Sequence, residues 1–324
     1  MNVPLNILCQ SPVSEGMTPA DAVHHTVALA KEADTLGYHR FWVAEHHSDQ
    51  ALASAAPEVM ITHLAGQTRN LRIGSGGVLL PYYKPMKVAE QFNLLATLFP
   101  GRIDLGIGRG GGAEAHAPQA LGLRAPRFED VDELLSWLGP GSTDRPYADT
   151  FASPRGEATA EPWVLGTSPT SATYAGERGL PYAFGGFLDP RGMVPALMAY
   201  HQAFRPSRWL DRPRVNLAWY VQAAETEAEA QALTRSSEHW FIETLIRGKN
   251  PTFPDPSRID AQYGPMEQMA IAMRRQFALV GTADQVLSGI EELVKQTRAD
   301  EVTLVTIPFE HEARMASYRL LAQA

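Results

Sequence analysis

The sequence predicts an α/β fold, a (β/α)8 TIM barrel with loop insertions and an active site at the C-terminal mouth of its strands. Short segments rich in aromatic and β-branched residues alternate with longer amphipathic segments, and eight such strand–helix pairs can be recognised. Glycines, hydroxyl groups and ionisable residues accumulate after the predicted strands and not after the helices. An open doubly wound sheet is the alternative, because alternation alone does not fix the topology.

The first predicted helix has the clearest boundaries, because Thr18 suits an N-cap, Pro19 the first helical position and Gly37 the C-terminal stop. The predicted strands are Leu5–Gln10, Arg40–Ala44, Leu71–Leu80, Arg102–Ile107, Trp163–Gly166, Tyr182–Phe187, Val215–Ala223 and Glu301–Ile307. The helices that follow them are Pro19–Leu36, Pro57–Thr68, Pro85–Leu98, Phe128–Leu138, Pro169–Arg178, Pro190–Phe204, Glu225–Ile246 and His311–Leu321.

Two segments interrupt this alternation. Gly139–Ala160 is rich in Pro, Gly and Ser, and we expect a surface loop or a small hairpin there. Gly248–Gln276 is rich in Pro and Asp, precedes an additional helix at Ala283–Gln296, and has the length of a binding loop or lid. Since no low-complexity linker divides the chain, we expect residues 1–324 to form one domain.

Composition narrows the class of protein. The net charge of −8 argues against a nucleic-acid surface, and the single cysteine, Cys9, excludes an internal disulfide and suits a core thiol. The first residues lack the pattern of a signal peptide, and no segment has the apolar length of a membrane span. We therefore expect a soluble, cytoplasmic protein without a membrane or nucleic-acid partner.

The second predicted strand runs directly into Glu45, His46 and His47. Adjacent side chains of a strand point to opposite faces, so the two histidines are not expected to share a metal ion. We expect His46 to enter the mouth, where it can act as an acid, a base or a hydrogen-bond donor. His47 is expected to be satisfied within the structure, and Glu45 to orient a histidine or to pair with an arginine inside the barrel.

Glycines occupy unusual places in and after the next strands. Gly74–Gly77 lies inside the third strand, which indicates a bulge or the close approach of a ligand. Further glycines follow the fourth, fifth and sixth strands at Gly106–Gly112, Gly166 and Gly185–Gly186. This accumulation on one side of the predicted barrel indicates where a ligand binds.

Arg109 and the start of the fifth helix predict an anion site. A guanidinium among glycines suits a phosphate, because it offers a fixed fork of donors while the backbone can approach closely. Ser168 suits an N-cap, and the positive end of that helix favours the same anion. The alternatives are that Ser168 only caps its helix and that Arg109 pairs with Glu114 or Glu45.

Four blocks of the sequence, in order, resemble the bacterial luciferase-like flavin monooxygenases: Phe41–Ser48, Gly74–Pro81, Ala89–Arg102 and Gly106–Gly110. The chain looks most like the single-barrel oxidoreductases of this family and not like its light-emitting subunits, whose reactive cysteine is replaced by Gly108. The resemblance implies a barrel that binds reduced FMN at its mouth and oxygenates a small organic substrate with O2. It also implies a separate flavin reductase as a candidate partner, and a homodimer paired through Pro57–Thr68 and Pro85–Leu98.

The resemblance assigns roles to individual residues. His46 matches the family's catalytic histidine near the flavin ring. Gly76 and Gly77 match a pair joined by a nonprolyl cis peptide beneath the isoalloxazine. Arg109 matches the phosphate-binding arginine. The hydroxyl-bearing turn that holds the same phosphate is matched by Thr167, Ser168 and Ser171.

Three other functions compete with this one. A dehydrogenase using the deazaflavin coenzyme would need more basic residues for the longer cofactor tail than Arg109 alone. A metal-dependent hydrolase would need His-x-His at the end of the first strand, which instead reads Leu8–Ser11. A flavin-binding protein without turnover would not need His46. The substrate is not named by the sequence; its pocket is expected to form from Trp42, Tyr82, Tyr83, Phe187 and Gly248–Gln276.

Overall fold

The computed structural model describes residues 3–110, 112–140, 147 and 149–324. Its strands are β1 (Leu5–Cys9), β2 (Arg40–Val43), β3 (Arg72–Leu79), β4 (Ile103–Gly108), β5 (Glu161–Gly166), β6 (Tyr182–Gly185), β7 (Val215–Ala223), β8 (Leu279–Gly281) and β9 (Glu301–Val305). Its α-helices are α1 (Pro19–Leu36), α2 (Pro57–Gln67), α3 (Pro85–Leu98), α4 (Ala117–Ala120), α5 (Phe128–Trp137), α6 (Pro169–Glu177), α7 (Met193–Ala203), α8 (Glu227–Leu233), α9 (Arg235–Phe241), α10 (Pro265–Phe277), α11 (Ala283–Thr297) and α12 (His311–Gln323).

Eight of these strands form a closed parallel barrel. The order is β6-β5-β4-β3-β2-β1-β9-β7, and β7 pairs with β6 to complete the ring. The predicted (β/α)8 fold is confirmed, and the open sheet is excluded by this closure. Among the described residues, no helix is both long and apolar enough to cross a bilayer.

Alternating side chains of the barrel strands fill two apolar cores. Phe41 and Val43 of β2 pack in the outer core between barrel and helices, whereas Trp42 packs in a smaller inner cluster. This is the two-residue period of a strand with both faces buried. Cys9 of β1 is fully buried in the outer core and forms no disulfide, as predicted for a core thiol.

The amino-terminal end of the barrel interior is closed by buried ion pairs. The guanidinium of Arg40 contacts the carboxylates of Asp104 and Glu301 at 2.7 Å each, and Arg214 Nε donates to Glu301 at 3.0 Å. Trp163 lies against this cluster, its ring 4.9 Å from the Arg40 guanidinium carbon. Burial alone would raise the pKa of Glu301, but the neighbouring Arg40 and Arg214 charges lower it to about 2.

Local signals fixed α1 as predicted. The Thr18 hydroxyl accepts a hydrogen bond from Asp21 N, the Asp21 carboxylate accepts one from Thr18 N, and Gly37 ends the helix at φ 81°. The prediction of one long helix over Glu225–Ile246 was wrong. This segment divides into α8, α9 and a π-helical turn at Ile242–Ile246.

The helix break occurs at Thr234, which separates α8 from α9. Its hydroxyl donates to Gln231 O at 2.8 Å and lies 3.2 Å from Glu238 Oε1. A threonine that bonds the preceding turn competes with the regular helical pattern, which explains the interruption.

The two predicted excursions differ from expectation in different ways. Gly248–Gln276 is not only loop, because it contains most of α10, which starts with Pro265 at its first position and a capping contact from Glu267 to Gly264 N. The chain then adds β8, which pairs in parallel with the last residues of β7. The loop or hairpin predicted at Gly139–Ala160 falls partly outside the described residues, at 141–146 and 148.

Candidate active site

The segment after β2 is held by backbone hydrogen bonds within its own loop and to the loop after β4. His46 N donates to Ser54 O at 2.7 Å, and His47 N donates to Gly112 O at 2.9 Å. The ionisable residues that follow this strand are therefore fixed between the loop after β2 and the loop after β4. Both loops lie at the carboxyl ends of barrel strands, where ligands bind in this fold.

Glu45 orients His47. Its buried carboxylate accepts hydrogen bonds from Tyr83 Oη at 2.6 Å and Leu79 N at 2.9 Å, and it lies 2.7 Å from His47 Nε2. Burial raises the pKa of Glu45. The three hydrogen bonds act in the opposite direction but do not outweigh burial. Of the two roles predicted for Glu45, the structure shows the histidine contact.

His46 is left without such a partner. Its Nδ1 is buried and makes no hydrogen bond to any residue that the structure describes. Burial, assisted by the charge of His47, lowers the pKa of His46 to about 4. The ring is therefore neutral near pH 7 and can accept or donate a proton at Nδ1.

The glycines of β3 and β4 allow these two strands to approach each other closely. A Cβ at Gly77 would lie 2.7 Å from Gly106 O, and one at Gly106 would lie 2.1 Å from Ser75 O. The register shifts between Ser75 and Val78, as expected of the predicted bulge, and the Gly76–Gly77 peptide is cis. Strand packing thus accounts for these glycines, which had suggested close approach of a ligand.

Arg109 follows β4 and has no carboxylate partner among the described residues. Its guanidinium carbon lies 3.6 Å from the centre of the Phe128 ring, and its Nε is buried without a hydrogen bond. Burial lowers the pKa of Arg109. Tyr174 and Tyr182 act in the opposite direction but do not outweigh burial. The predicted alternatives, pairing with Glu114 or Glu45, do not occur.

Asp132, the carboxylate beside the same aromatic stack, is already neutralised by Arg178. Tyr174 stacks on Phe128 with the ring centres 4.0 Å apart and donates to Asp132 at 2.9 Å. Arg178 binds Asp132 through Nε at 2.5 Å and Nη2 at 2.8 Å. Arg109 therefore remains the cation of this stack without a counter-charge in the described chain.

Hydroxyl groups collect at the start of α6. Ser168 is the N-cap, with Oγ 3.4 Å from Ser171 N and 3.3 Å from Ser171 Oγ. Ser171 Oγ also lies 3.1 Å from the hydroxyl of Tyr182, whose pKa burial raises to about 12. Thr167 sits at the same turn, with Cγ2 3.3 Å from the Cβ position of Gly185. The turn from Thr167 to Ser171 contains four hydroxyl side chains and no acidic one.

Sequence reasoning missed the aromatic and phenolic residues around Arg109, which are Phe128, Tyr174 and Tyr182. Tyr83 was predicted for the substrate pocket, whereas its hydroxyl donates to Glu45. Tyr182 had a usable signal, since it begins the predicted strand next to the Ser168 turn. Phe128 and Tyr174 lie on the helices that follow β4 and β5, and no local pattern shows that their rings meet beside Arg109.

The residues expected to form the substrate pocket do not line one cavity together. Trp42 Nε1 donates to Asp104 at 2.9 Å inside the barrel, and Tyr82 packs edge-on against His47 at 5.3 Å. Phe187 and α10, part of the predicted excursion, line one cavity at the rim of the mouth. No group of three or more His, Cys, Asp or Glu side chains within the described ranges could hold a metal ion.

Comparison with known proteins agrees with the fold. The family model described as luciferase-like monooxygenase matches residues 3–301. A "luciferase-like monooxygenase" of Escherichia coli K12 is 36% identical, with 98% of this chain and 96% of the relative covered. An "N-acetyl-S-alkylcysteine monooxygenase" of Bacillus subtilis is 33% identical, with 99% and 97% covered.

Solved structures share the same architecture. The crystal structure of apo-MsnO8 has a TM-score of 0.90 at 36% identity, covering 99% of this chain and 97% of the other. The oxygenating constituent of 3,6-diketocamphane monooxygenase from a Pseudomonas putida plasmid, in complex with FMN, has a TM-score of 0.72 at 22% identity over 100% and 97%. An F420-dependent secondary alcohol dehydrogenase has a TM-score of 0.66 at 15% identity over 98% of each chain, so these last two show the fold alone. On the family match and these full-length relatives, the chain belongs to the luciferase-like monooxygenase family.

Proposed function

We propose that this protein is a flavin-dependent monooxygenase that uses reduced FMN and O2 to oxygenate a small organic substrate. The observation that carries the proposal is the half-buried guanidinium of Arg109, which has no carboxylate partner in the described chain. It interacts with Tyr182, whose hydroxyl contacts Ser171 of the Ser168 turn. A desolvated cation without a counter-charge is costly unless an anion binds it. A phosphate monoester at the start of α6 would supply that anion.

The residues present fit FMN at both ends of the cofactor. Arg109, Thr167, Ser168 and Ser171 would hold the phosphate, because a guanidinium and hydroxyl groups all donate hydrogen bonds to phosphate oxygens. The buried, unpartnered Nδ1 of His46 supplies a second polar atom for a ligand at the same mouth. Gly76 and Gly77 would lie against the flavin ring, a placement that follows from the family resemblance.

Bound there, the cofactor would supply two electrons, so that one atom of O2 enters the substrate and the other leaves as water. His46 would hold or transfer a proton at Nδ1, a role that suits a ring kept neutral by burial. Glu45 and Tyr83 keep the loop after β2 in place and thereby position His46. A separate flavin reductase would deliver the reduced cofactor.

A second candidate cofactor is the deazaflavin coenzyme, which the F420-dependent dehydrogenase of the same fold uses. FMN is favoured because its single phosphate needs one free cation. Arg178, the next arginine on the aromatic stack, is already bound to Asp132 and is not free for a longer acidic tail. The FMN complex of the diketocamphane enzyme supports the same choice.

The test is a titration of FMN against the wild type and Arg109→Gln, followed by flavin fluorescence. Loss of one or two charge-assisted hydrogen bonds, about 1.5–3 kcal/mol each, predicts affinity at least tenfold weaker in the variant. The matched control is Arg127→Gln, which removes a largely exposed arginine next to Phe128. Equal affinity of wild type and Arg109→Gln would refute the phosphate assignment.

The same preparations separate binding from chemistry. His46→Gln should bind FMN as tightly as the wild type, while oxygen reoxidises its bound, reduced FMN at a different rate in stopped flow. Identical traces would remove His46 from the reaction. A titration with the deazaflavin coenzyme completes the test, since tighter binding of that cofactor than of FMN would favour the dehydrogenase.

A further inference from the structure

A small apolar cavity lies beside the mouth, at the carboxyl ends of β6 and β7 and beneath α10. Its volume is about 170 Å³, and its walls include the rings of Phe187, Trp219, Tyr220 and Phe241. An apolar cavity of about 150 Å³ holds one benzene ring in another protein. Tyr220 also belongs to the inner apolar cluster that contains Trp42, so this cavity borders the interior of the mouth.

One cation that lines this cavity, Arg274, has no carboxylate partner among the described residues. The guanidinium carbon of Arg274 lies 5.0 Å from the centres of both the Tyr220 and the Phe241 rings, and the side chain is partly buried. The next residue, Arg275, binds both oxygens of Glu238, at 2.6 and 2.7 Å. Within the described residues, Arg274 has no carboxylate of its own.

The other charges of the lining cancel each other. Asp189 lies 3.8 Å from Arg191, and both are largely solvated. With Arg274 the lining carries two cations and one anion, a net charge of +1, in a chain whose net charge is −8. A positive cavity walled by aromatic rings selects a planar apolar molecule with one negative group.

We propose that Arg274 determines substrate class, by binding the carboxylate of a small aromatic acid whose ring lies in this cavity. The inference rests on the proposed function, since it makes the cavity the substrate side of the FMN site. Arg274 suits the role because two aromatic faces hold its guanidinium in place, and a preorganised fork loses little entropy when it binds a carboxylate. Arg274 is a specificity residue and takes no part in oxygen transfer.

The test compares phenylacetate with its neutral isostere phenylacetamide by isothermal titration of the full chain, with and without FMN. The wild type should bind phenylacetate at least tenfold more tightly than the amide. Arg274→Gln should abolish this difference, and Arg274→Lys should retain part of it, which separates loss of charge from loss of folding. The matched control, Arg212→Gln, removes an exposed arginine near the opposite end of the barrel and should behave as wild type.

Several outcomes would overturn the inference. They are equal affinity of the wild type for both probes, no binding of either, or an unchanged preference in Arg274→Gln. A fall in FMN affinity in Arg274→Gln would also overturn it, because the arginine would then belong to the cofactor site. If the wild type prefers phenylacetate but does not bind FMN, the proposed cofactor is refuted while the carboxylate site at Arg274 stands.

Discussion

Arg40 at the amino-terminal end of the barrel and Arg109 at the carboxyl end are both withdrawn from water, but only Arg40 has carboxylates against it. Asp104 and Glu301 lie 2.7 Å from the Arg40 guanidinium and outweigh the effect of burial, so that the pKa of Arg40 is raised. Burial lowers the pKa of Arg109, and the described residues offer it an aromatic ring and phenols.

The difference teaches where this fold keeps polar groups for its own stability and where it keeps them for a ligand. At the amino-terminal end, each desolvated charge is compensated within the protein, and removing one partner leaves the other unpaired. At the carboxyl end, Arg109 Nε and His46 Nδ1 are buried without hydrogen bonds in the described chain. A buried group without a hydrogen bond costs free energy, and under the proposed function a bound ligand would supply the missing partner.

The largest effect should follow from breaking the amino-terminal ion pairs. Arg40→Met leaves Asp104 and Glu301 buried with fewer opposite charges, and we expect the free energy of unfolding to fall by about 3–5 kcal/mol. Urea unfolding followed by circular dichroism measures this loss. Arg212→Met is the control, because its side chain is 84% exposed and 3.7 Å from Asp300, and it should cost less than about 0.5 kcal/mol. Similar losses in the two variants would contradict the comparison.

A smaller effect should appear at the carboxyl end as a dependence on pH. The pKa of His46 is lowered from 6.5 to about 4, so the unfolded chain binds a proton at this site before the folded protein does. Stability is therefore complete above pH 6.5 and falls between pH 6.5 and 4 by at most about 3 kcal/mol. His46→Gln should lack this contribution and lose less stability on acidification.

Unfolding midpoints in urea at pH 7, 5.5 and 4 test this prediction. Burial and the neighbouring His25 also lower the pKa of His311 to about 4, so the wild type has a second acid-sensitive histidine. His311 titrates in both proteins and cancels in the difference between them. Parallel pH profiles of wild type and variant would mean that His46 is solvated in the folded protein.

Elements with local signals could be predicted from the sequence. Thr18, Pro19 and Gly37 delimit α1 by contacts within four residues of the chain, and its predicted bounds are confirmed. The residues of the proposed anion site were also accessible to sequence reasoning, because Arg109 and Ser168 each follow a recognisable strand. The break at Thr234 was missed because Glu225–Ile246 contains no Gly or Pro that would mark it.

The ion pairs of the amino-terminal end could not be predicted. Arg40 and Glu301 are 261 residues apart, and each stands at the start of a strand whose neighbours are known only once the barrel is closed. The close packing of the β3 glycines could not be predicted for a related reason. Their nearest obstacles, such as Gly106 O for Gly77, come from the adjacent strand, and strand spacing is not visible in sequence.

The smallest effect should come from Arg109→Gln in the absence of cofactor. No ion pair is lost, and the stacking energy with Phe128, about 0.5–2 kcal/mol, is offset by relief of desolvation. We expect the free energy of unfolding to stay within about 1 kcal/mol of the wild-type value. With FMN at about 100 times its wild-type Kd, the wild type should gain about 2.7 kcal/mol, and the variant clearly less. Thermal unfolding of both proteins with and without FMN measures all four values. A loss of 3 kcal/mol without FMN would make Arg109 a structural residue like Arg40, and the two ends of the barrel would no longer differ.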